Sequence, residues 1–312
     1  MTIRSPMTFD NRKKGTLIVV AGSTGSGKTD LGIELARRFD APVISFDSRQ
    51  VFRGMAIGTA QPDAGQLAAA KHYFIADREV TEEYNSGKFA EEALVLLDRL
   101  FETHSYVIAV GGSGLYIDAL CYGLDDLPEA DKVLREKLEE RLANEGIAVL
   151  AGELRSLDPD YYEGVDRNNP ARVLRALEVC IATGKPYSGQ RSGRRAERDF
   201  NVVKVGIEIP REELYERINR RVDIMMEDGL EAEARGLYHL KELNSLNTVG
   251  YRELFTYFDG ESTLEEAVEL IKRNSRRYAK RQATWFCRDG EITWFARDDF
   301  DKIENFIKKF AE

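Results

Sequence analysis

One glycine-rich stretch, residues 22–29, restricts the folds open to this chain more than any other feature of its sequence. It has the phosphate-loop spacing, in which a glycine and four further residues are followed by Gly-Lys-Thr. A β-branched apolar run at 17–21 precedes it, and residues 30–38 follow with apolar side chains at helical spacing. A strand, loop and helix in this order point backbone N–H groups at an anion, so the stretch predicts an α/β core with a polyphosphate site.

We assign diphosphate binding to the whole loop, which consists of Gly22, Ser23, Thr24, Gly25, Ser26, Gly27, Lys28 and Thr29. Lys28 supplies a full positive charge, and the Thr29 hydroxyl is suited to ligating Mg²⁺, the cofactor we expect. The alternative interpretation is a chance glycine turn, which the flanking strand and helix disfavour. The pattern predicts a polyphosphate ligand without indicating that this ligand is ATP.

The composition is that of an ordinary soluble globular protein, with 43% hydrophobic and 32% charged residues among 312. That length allows one large or two modest domains. No apolar run approaches the length that spans a bilayer. We therefore expect no membrane partner. The three scattered cysteines predict reduced thiols in a cytoplasmic protein. The net charge of −9 argues weakly against a nucleic-acid partner, although it says nothing about local charge.

A carboxylate, Asp47, follows the second predicted strand at 42–46, and Ser48, Arg49 and Gln50 come directly after it. Open α/β sheets bind ligands beyond the carboxyl ends of their strands, so Asp47 is a candidate site residue. It could ligate Mg²⁺ or act as a base toward a second substrate, and the alternative is a helix cap, for which Asp is well suited. The residues alone leave these interpretations open.

Two further strands are predicted at 72–77 and 106–110. The second of these ends in Gly111 and Gly112, which allow close approach of a backbone or a ligand, followed by the hydroxyl of Ser113. An ATPase would be expected to carry an aspartate here that holds Mg²⁺ and orients water. Because no such aspartate is present, the sequence favours a group transferase over a nucleotide-hydrolysing motor.

The pattern changes beyond Tyr122, where charged helices are predicted at 130–144 and 147–157 and a third helix starts with the segment at Asn169. A strand pattern returns at 202–209. We therefore predict a catalytic core formed by residues 1–122 and 199–312, interrupted by a helical insertion domain at 123–198.

The helix predicted at 211–227 carries Arg217 and Arg221, which are four residues apart and share one face. They could neutralise an anion. The alternative is an ordinary solvated face, on which Glu213 and Glu216 pair with them.

A second basic cluster occupies residues 272–281, which contain six basic side chains and no acidic one. In a chain with a net charge of −9 this is a local positive stripe, and aromatic residues lie close to it in the sequence. Binding of a phosphate backbone is the natural use of such a stripe, so Arg276, Lys280 and Arg281 are candidate RNA contacts.

Six groups of motifs, spread over almost the whole chain, match one family pattern. They lie at 22–29, at 47–50 together with 57–59, and at 111–116, 169–173, 250–253 and 280–286. With these motifs the sequence closely resembles the bacterial tRNA dimethylallyltransferases, also called tRNA isopentenyltransferases. That family usually has Pro and Ala where this phosphate loop has Ser23 and Gly25, and Thr where this chain has Ser113. Both differences keep a flexible loop and a hydroxyl group.

The resemblance implies a fold and an activity. The fold is a P-loop NTPase-like α/β core with a parallel sheet, and its helical insertion domain contacts the anticodon stem-loop of tRNA. The activity is transfer of a dimethylallyl group from dimethylallyl diphosphate to N6 of adenine 37 beside the anticodon, which gives N6-isopentenyladenosine and diphosphate. We expect a monomer. Prenyl transfer to free adenine nucleotides and an ATP-dependent small-molecule kinase remain as alternatives.

The resemblance also implies roles for individual residues. Asp47 is the expected base for the adenine amine, and Ser113 is expected to hydrogen-bond the oxygen between carbon and phosphorus. Arg217 and Arg221 are expected to neutralise the leaving diphosphate. The expected tRNA contacts are Asp47, Ser48, Arg49, Gln50, Ser113, Arg135, Ala171, Arg172, Val173, Leu174, Arg175, Gly250, Tyr251, Arg276, Lys280 and Arg281.

Overall fold

A computed structural model describes residues 9–10, 12–125, 127–128, 131–191, 193 and 195–310 of the chain. The chain forms two compact units, one made of Met1–Cys121 with Glu197–Glu312 and the other of Tyr122–Ala196. The larger unit contains a sheet covered by helices, and the smaller unit is helical over its described residues.

All strand pairs of the sheet are parallel, which confirms the predicted α/β class. Over the described residues the sheet has six strands in the order β3-β2-β4-β1-β5-β6. β1 lies between β4 and β5 and every one of its residues is buried, as expected for a strand with helices on both faces. The strands are β1 (Thr16–Ala21), β2 (Val43–Ser45), β3 (His72–Tyr73), β4 (Tyr106–Gly111), β5 (Asn201–Glu208) and β6 (Ile292–Ala296).

The helices before the insertion connect these strands in the right order for parallel pairing. They are α1 (Lys28–Arg38), α2 (Ala64–Ala69), α3 (Ser86–Leu100) and α4 (Gly114–Tyr122). The smaller unit contributes α5 (Lys132–Glu145), α6 (Ile147–Leu157), α7 (Pro159–Gly164), α8 (Pro170–Thr183) and α9 (Tyr187–Gln190). The helices after β5 are α10 (Arg211–Glu227), α11 (Leu230–Leu237), α12 (Tyr251–Phe258), α13 (Leu264–Phe286) and α14 (Phe300–Phe310).

One face of the sheet is closed by α1 and α14. Buried β-branched residues of β1 and β5, among them Ile18 and Val203, pack with Leu35 of α1 and with Ile303 and Ile307 of α14. Burial of each such side chain stabilises the fold by about 1.5–3 kcal/mol, so this layer fixes the end of β1 from which the phosphate loop emerges.

The strand predicted at 72–77 is much shorter in the structure, where β3 ends at Tyr73. Phe74 and Ala76 have φ angles of 61° and 47°, which are incompatible with a strand. The apolar pattern of this segment instead reflects packing of the Phe74 ring against Phe89 of α3.

The smaller unit has a core of its own. Leu138 of α5, Leu150 and Leu154 of α6, and Val173 and Leu177 of α8 are at most 2% exposed and form one apolar cluster. Helix α8 begins after Asn169, whose side chain accepts a hydrogen bond from the Arg172 amide, with Pro170 in the first turn as predicted. The helix predicted at 130–144 is α5, but its predicted first residue, Ala130, lies outside the described residues.

Two smaller expectations concern thiols and membranes. Cys121, Cys180 and Cys287 are free, and the first two are buried. Within the part of the chain that the structure describes, we find no helix with the length and apolar character needed to cross a bilayer.

Candidate active site

A cavity of about 250 Å³ in the larger unit is lined by the phosphate loop, by the segments that follow β2 and by side chains of α10 and α13. Its polar lining includes Lys28, Thr29, Asp47, Arg217 and Arg221. The cavity thus brings together the phosphate loop, the proposed base and both arginines, which are separated by long stretches of sequence. It lies at the carboxyl edge of the sheet, where open α/β folds bind ligands.

The phosphate loop passes directly into α1, whose first residue is Lys28. Gly27 precedes the helix with a φ angle of 94°, a conformation that residues with a β-carbon rarely adopt. Thr29 lines the cavity and is half-buried. The Ser26 hydroxyl is buried and, among the described residues, has no hydrogen-bond partner.

Lys28 is the only residue of the loop with a full charge, and it faces the cavity. Its ammonium group is 3.4 Å from the Ser23 carbonyl oxygen. Burial lowers the pKa of Lys28 to about 8; the Asp47 carboxylate opposes this shift, and the positive charge of Arg221 adds to it. The cavity therefore holds an incompletely compensated positive charge, which favours a phosphate ligand.

Arg217 and Arg221 extend this charge from α10. The Arg217 Nε donates to the Gly25 carbonyl oxygen at 2.8 Å, and an Arg221 guanidinium nitrogen donates to the Thr24 hydroxyl at 3.2 Å. Burial and the neighbouring charge of Arg217 lower the pKa of Arg221. Both arginines are turned toward the phosphate loop, and neither is paired with Glu213 or Glu216 in the described structure, so the solvated-face alternative does not describe them. Their action on an anion stays a prediction.

Asp47 begins a turn, and its side chain partly stabilises that turn. Oδ1 accepts hydrogen bonds from the amides of Arg49 and Gln50, at 2.9 and 3.4 Å. The capping alternative is therefore partly right, although the segment is a turn and not a helix. Both of these bonds end on Oδ1, so the capping function does not use the second carboxylate oxygen.

Gln50 ties this turn to the next loop. Its Nε2 donates to the carbonyl oxygens of Thr59 and Ala60, at 3.1 and 2.8 Å, and its Oε1 accepts from the Ser45 hydroxyl. Because both N–H groups of its amide are already used, the expected tRNA contact at Gln50 lacks a free donor. The contacts assign Gln50 to holding the loop at 57–61, which forms part of the cavity wall.

Ser113 contacts the turn that follows Asp47, although it is not among the residues that line the cavity. Its hydroxyl accepts a hydrogen bond from the Ser48 amide at 2.9 Å and also bonds the Tyr278 phenol. Tyr278 does line the cavity; burial raises its pKa to about 12, with a further contribution from the Asp47 charge. In the sequence, Tyr278 is recognisable only as an aromatic residue close to a basic stripe, and nothing there indicates its place beside the proposed base.

Gln282 is the second site residue that sequence reasoning missed. Its Oε1 accepts from the Thr24 amide at 2.8 Å, and its Nε2 donates to the Gly112 carbonyl oxygen at 2.9 Å. A β-carbon at Gly112 would lie 2.1 Å from that nitrogen, so the glycine is needed for the approach of a side chain from α13. The sequence indicated a close approach at Gly112 but not its partner.

The stripe at 272–281 divides into two faces on α13. Lys272 pairs with Asp223 of α10 at 2.8 Å, and Arg276 donates to Asn219 of the same helix. The other basic side chains of the stripe are exposed: Arg273, Arg277, Lys280 and Arg281. These four exposed side chains form a positive surface that RNA could reach. Arg276 lies on the other face, so an RNA contact there would compete with its hydrogen bond to Asn219.

Three of the residues expected to contact tRNA have side chains that are buried in this structure. Val173 and Leu174 are 0% and 1% exposed in the core of the smaller unit. Tyr251 is 0% exposed, and its phenol donates to Glu233 at 2.7 Å. In this structure the three side chains contribute to packing. Gly250, beside Tyr251, lines the cavity.

Two arginines expected to contact tRNA have partners inside the smaller unit. Arg135 pairs with Glu139 at 2.8 Å, and Arg175 pairs with the buried Glu178 at 3.0 Å. Arg172 and Ala171 are exposed at the start of α8. Arg172 is therefore the clearer candidate for an RNA contact on this unit.

A magnesium site made by the protein alone is not found, since the described residues contain no group of three His, Cys, Asp or Glu side chains placed to hold a metal. Mg²⁺ usually keeps several waters and shares substrate phosphates with one or two protein ligands. Thr29, whose side chain carries a hydroxyl and which lines the cavity beside the phosphate loop, fits that pattern.

Comparisons with known proteins identify relatives of this chain. The family model for IPP transferase matches residues 50–289. The tRNA dimethylallyltransferase 1 of Phocaeicola vulgatus is 49% identical over 292 residues, which cover 94% of this chain and 97% of that protein. The tRNA dimethylallyltransferase of Christiangramia forsetii is 49% identical over 296 residues, covering 93% and 98%.

Solved structures give the same relationship. The full-length tRNA isopentenylpyrophosphate transferase from Bacillus halodurans superimposes with a TM-score of 0.70 at 38% identity, covering 95% of this chain and 96% of that one. A eukaryotic dimethylallyltransferase acting on tRNA gives a TM-score of 0.77 at 27% identity, covering 95% and 77%. A family match of this extent and relatives this similar over nearly the full length establish that the chain belongs to the IPP transferase family.

Proposed function

We propose that this protein transfers a dimethylallyl group from dimethylallyl diphosphate to N6 of adenine 37 of tRNA. The observation that carries the proposal is the cavity in which Lys28, Arg217 and Arg221 meet the Asp47 carboxylate. The cations suit a diphosphate, and the carboxylate suits an acceptor that must lose a proton. Relatives named tRNA dimethylallyltransferase support the same assignment.

The cavity has a positively charged part and an apolar part, which fit the two parts of the proposed donor. Its diphosphate would lie at the phosphate loop, near Lys28 and the guanidinium groups of α10. Its dimethylallyl group would lie against the apolar lining, which includes Ile218, Val222, Met225, Leu230, Val249 and Ile271. An apolar wall excludes water, which would otherwise capture the developing allylic cation.

The proposed reaction is a substitution at C1 of the donor. The N6 lone pair forms the new C–N bond while the C1–O bond breaks, and its electron pair leaves with the diphosphate. The second oxygen of Asp47 accepts the proton from N6. Lys28 and the two arginines stabilise the charge that develops on the leaving group. Mg²⁺, held by Thr29 and the diphosphate, would add to that charge neutralisation.

Ser113 is proposed to act at the oxygen that breaks from carbon. Its hydroxyl is held by the Ser48 amide and by Tyr278, so it has a defined orientation before substrate binds. The side chain of Tyr278, and not that of Ser113, lines the cavity. Movement of Tyr278 when substrate binds would therefore bring the Ser113 hydroxyl to the cavity.

The acceptor adenine must leave its stack to reach an enclosed site, and loops of single-stranded RNA permit this. We propose that Arg172 of the helical unit and the exposed face of α13 hold the anticodon stem-loop. We also propose that the protein works as a monomer in the cytoplasm.

The deciding experiment is single-turnover prenyl transfer to tRNA by Asp47→Asn at saturating substrates. Asparagine keeps an oxygen for the amides of Arg49 and Gln50 but cannot accept the proton, so the rate should fall by about 10²–10⁴-fold. Asp30→Asn is the matched control, because Asp30 also lines the cavity but is exposed. Thermal melting of both variants shows whether the turn is intact.

The same assay separates the alternatives. Labelled dimethylallyl diphosphate is supplied with bulk tRNA or with AMP, both without ATP, and a third reaction with tRNA also contains ATP. Product only with tRNA supports the proposal, whereas equal product with AMP assigns the enzyme to free nucleotides. ATP turnover coupled to product would contradict a diphosphate donor. A near-normal rate for Asp47→Asn would remove that residue from the position of base.

A further inference from the structure

Glu233 of α11 forms three hydrogen bonds with groups near the cavity. Its Oε2 accepts from the Ile57 amide at 2.9 Å, and its Oε1 accepts from the Gly58 amide at 2.9 Å and from the Tyr251 phenol at 2.7 Å. Two successive backbone N–H groups that converge on one anion form a nest, and here the anion is the protein's own carboxylate. Charged hydrogen bonds of this length are among the stronger ones in proteins.

The loop that Glu233 holds is part of the site. Gly58, Thr59, Ala60 and Gln61 line the cavity, whereas Glu233 itself does not. The loop contains a strained residue, since Ala60 has a φ angle of 51° without being glycine. Such a conformation persists only where the surroundings hold it.

The loop is held on its other side by the turn that carries Asp47. Gln50 donates to the carbonyl oxygens of Thr59 and Ala60, and Gln61 donates back to the Gln50 carbonyl oxygen at 2.9 Å. Asp47 in turn accepts from the Gln50 amide. A continuous series of hydrogen bonds therefore runs from Glu233 through the 57–61 loop to Asp47.

We infer that Glu233 is a positioning residue for the transfer reaction, acting through the 57–61 loop to orient the Asp47 carboxylate. The inference rests on the proposed function, because it assigns Glu233 a task in the step that Asp47 performs. Glu233 has no direct contact with the cavity, so its loss should affect the chemical step more than donor binding at the phosphate loop.

Glu233→Gln tests this directly. A glutamine has one acceptor oxygen, so its NH₂ group must face either the Ile57 amide or the Gly58 amide, and two donors then oppose each other. A displacement of about 1 Å at a reacting group can cost about a hundredfold in rate, so we expect a tenfold to hundredfold fall in the single-turnover rate. Donor affinity, measured by direct titration, should change by less than about threefold.

Two variants serve as references. Glu231→Gln is the matched control, since Glu231 lies on the same helix and its one ion pair among the described residues is with the exposed Arg235, at 3.1 Å. Its transfer rate should match that of the wild type. Glu233→Asp keeps the charge but is shorter by one methylene group and cannot reach all three donors, so it should give an intermediate rate. It also replaces Glu233→Gln in every comparison if the latter does not fold.

A double-mutant cycle distinguishes positioning from general stability. If Glu233 acts through Asp47, then Glu233→Gln should lower the rate by less than about threefold in an Asp47→Asn background. If the tenfold to hundredfold effect is fully retained in that background, or if Glu233→Gln behaves like Glu231→Gln, the inference is wrong. Absence of transfer by the wild type would instead overturn the proposed function.

Discussion

Helices α10 and α13 each carry closely spaced basic residues, and a phosphate ligand is a reasonable expectation for both. On α10, Arg217 and Arg221 donate to the backbone and hydroxyl groups of the phosphate loop, and burial lowers the pKa of Arg221. On α13, two basic residues bond to α10, and the others are exposed. Spacing along the helix is similar in the two cases, so the difference lies in what each face packs against.

Because of that difference, the cations of the two helices should act on a phosphate ligand in different ways. Cations in a buried cavity act on a ligand at short range with little screening, and their removal affects one chemical step. Exposed cations act on a polyanion through counterion release, and their removal changes the salt dependence of binding. Of the three predictions that follow, the first and third test whether the two helices divide in this way, and the second tests the buried charge of Lys28, on which Arg221 of α10 acts.

The largest effect is expected on α10. Arg217→Gln and Arg221→Gln should each lower the single-turnover transfer rate by about 10²–10³-fold, the usual cost of losing one preorganised group that stabilises developing charge. Arg220→Gln is the matched control, because Arg220 lies on the same helix and is exposed. An equal loss for Arg220→Gln would show that the general charge of α10 matters, not its inward face.

An effect of intermediate size is expected from pH. With a pKa of about 8, Lys28 is protonated below that pH and loses its charge above it. Donor affinity should therefore change little between pH 7 and 8 and fall, at most about tenfold for each further unit, until binding without this charge dominates. Isothermal titration should show proton uptake on donor binding near pH 8.5, because the diphosphate favours the charged form.

Lys28→Arg provides the comparison, since a guanidinium stays protonated throughout this range. Its donor affinity, even if lower, should not depend on pH between 7 and 9.5. A fall of the same steepness in this variant would assign the dependence to another group.

The smallest effect is expected on α13. Lys280→Ala should reduce the salt slope of tRNA binding by about one unit, and Arg277→Ala should do the same. Arg276→Ala should change that slope less, because Arg276 already donates to Asn219. Donor affinity should be unaffected by Lys280→Ala and Arg277→Ala. Filter binding of tRNA across a salt series measures the slope, and equal slopes for all three variants would contradict the division of α13 into two faces.

Local features of the fold were predictable from the sequence, because their physical causes are local. The phosphate loop is recognisable from glycine spacing between a strand and a helix, and the shared face of Arg217 and Arg221 follows from helix geometry. Where the prediction of a strand at 72–77 was wrong, the apolar residues were buried by a turn with left-handed residues instead of by pairing.

The site was predictable only in part, since several of its contacts join distant segments. Nothing near the phosphate loop in the sequence indicates that Gln282 and Tyr278 of α13 lie against it. Local sequence patterns thus omit some site residues, whereas motif resemblance adds residues that do not line the site. Val173 and Tyr251 are examples, since both belong to motifs and are fully buried. The burial of a side chain distinguishes motif residues that pack from motif residues that line the site, and a motif alone does not show burial.

The two bonds of Gln282 also bear on how the protein is made. They join this residue to Thr24, 258 positions earlier, and to Gly112, 170 positions earlier. A ribosome has therefore polymerised most of the chain before the phosphate loop acquires this support. Contacts of such long range form late and slow folding. Until α13 has left the ribosome, the phosphate loop lacks the two hydrogen bonds that Gln282 makes. We therefore expect the complete anion site to form late in synthesis.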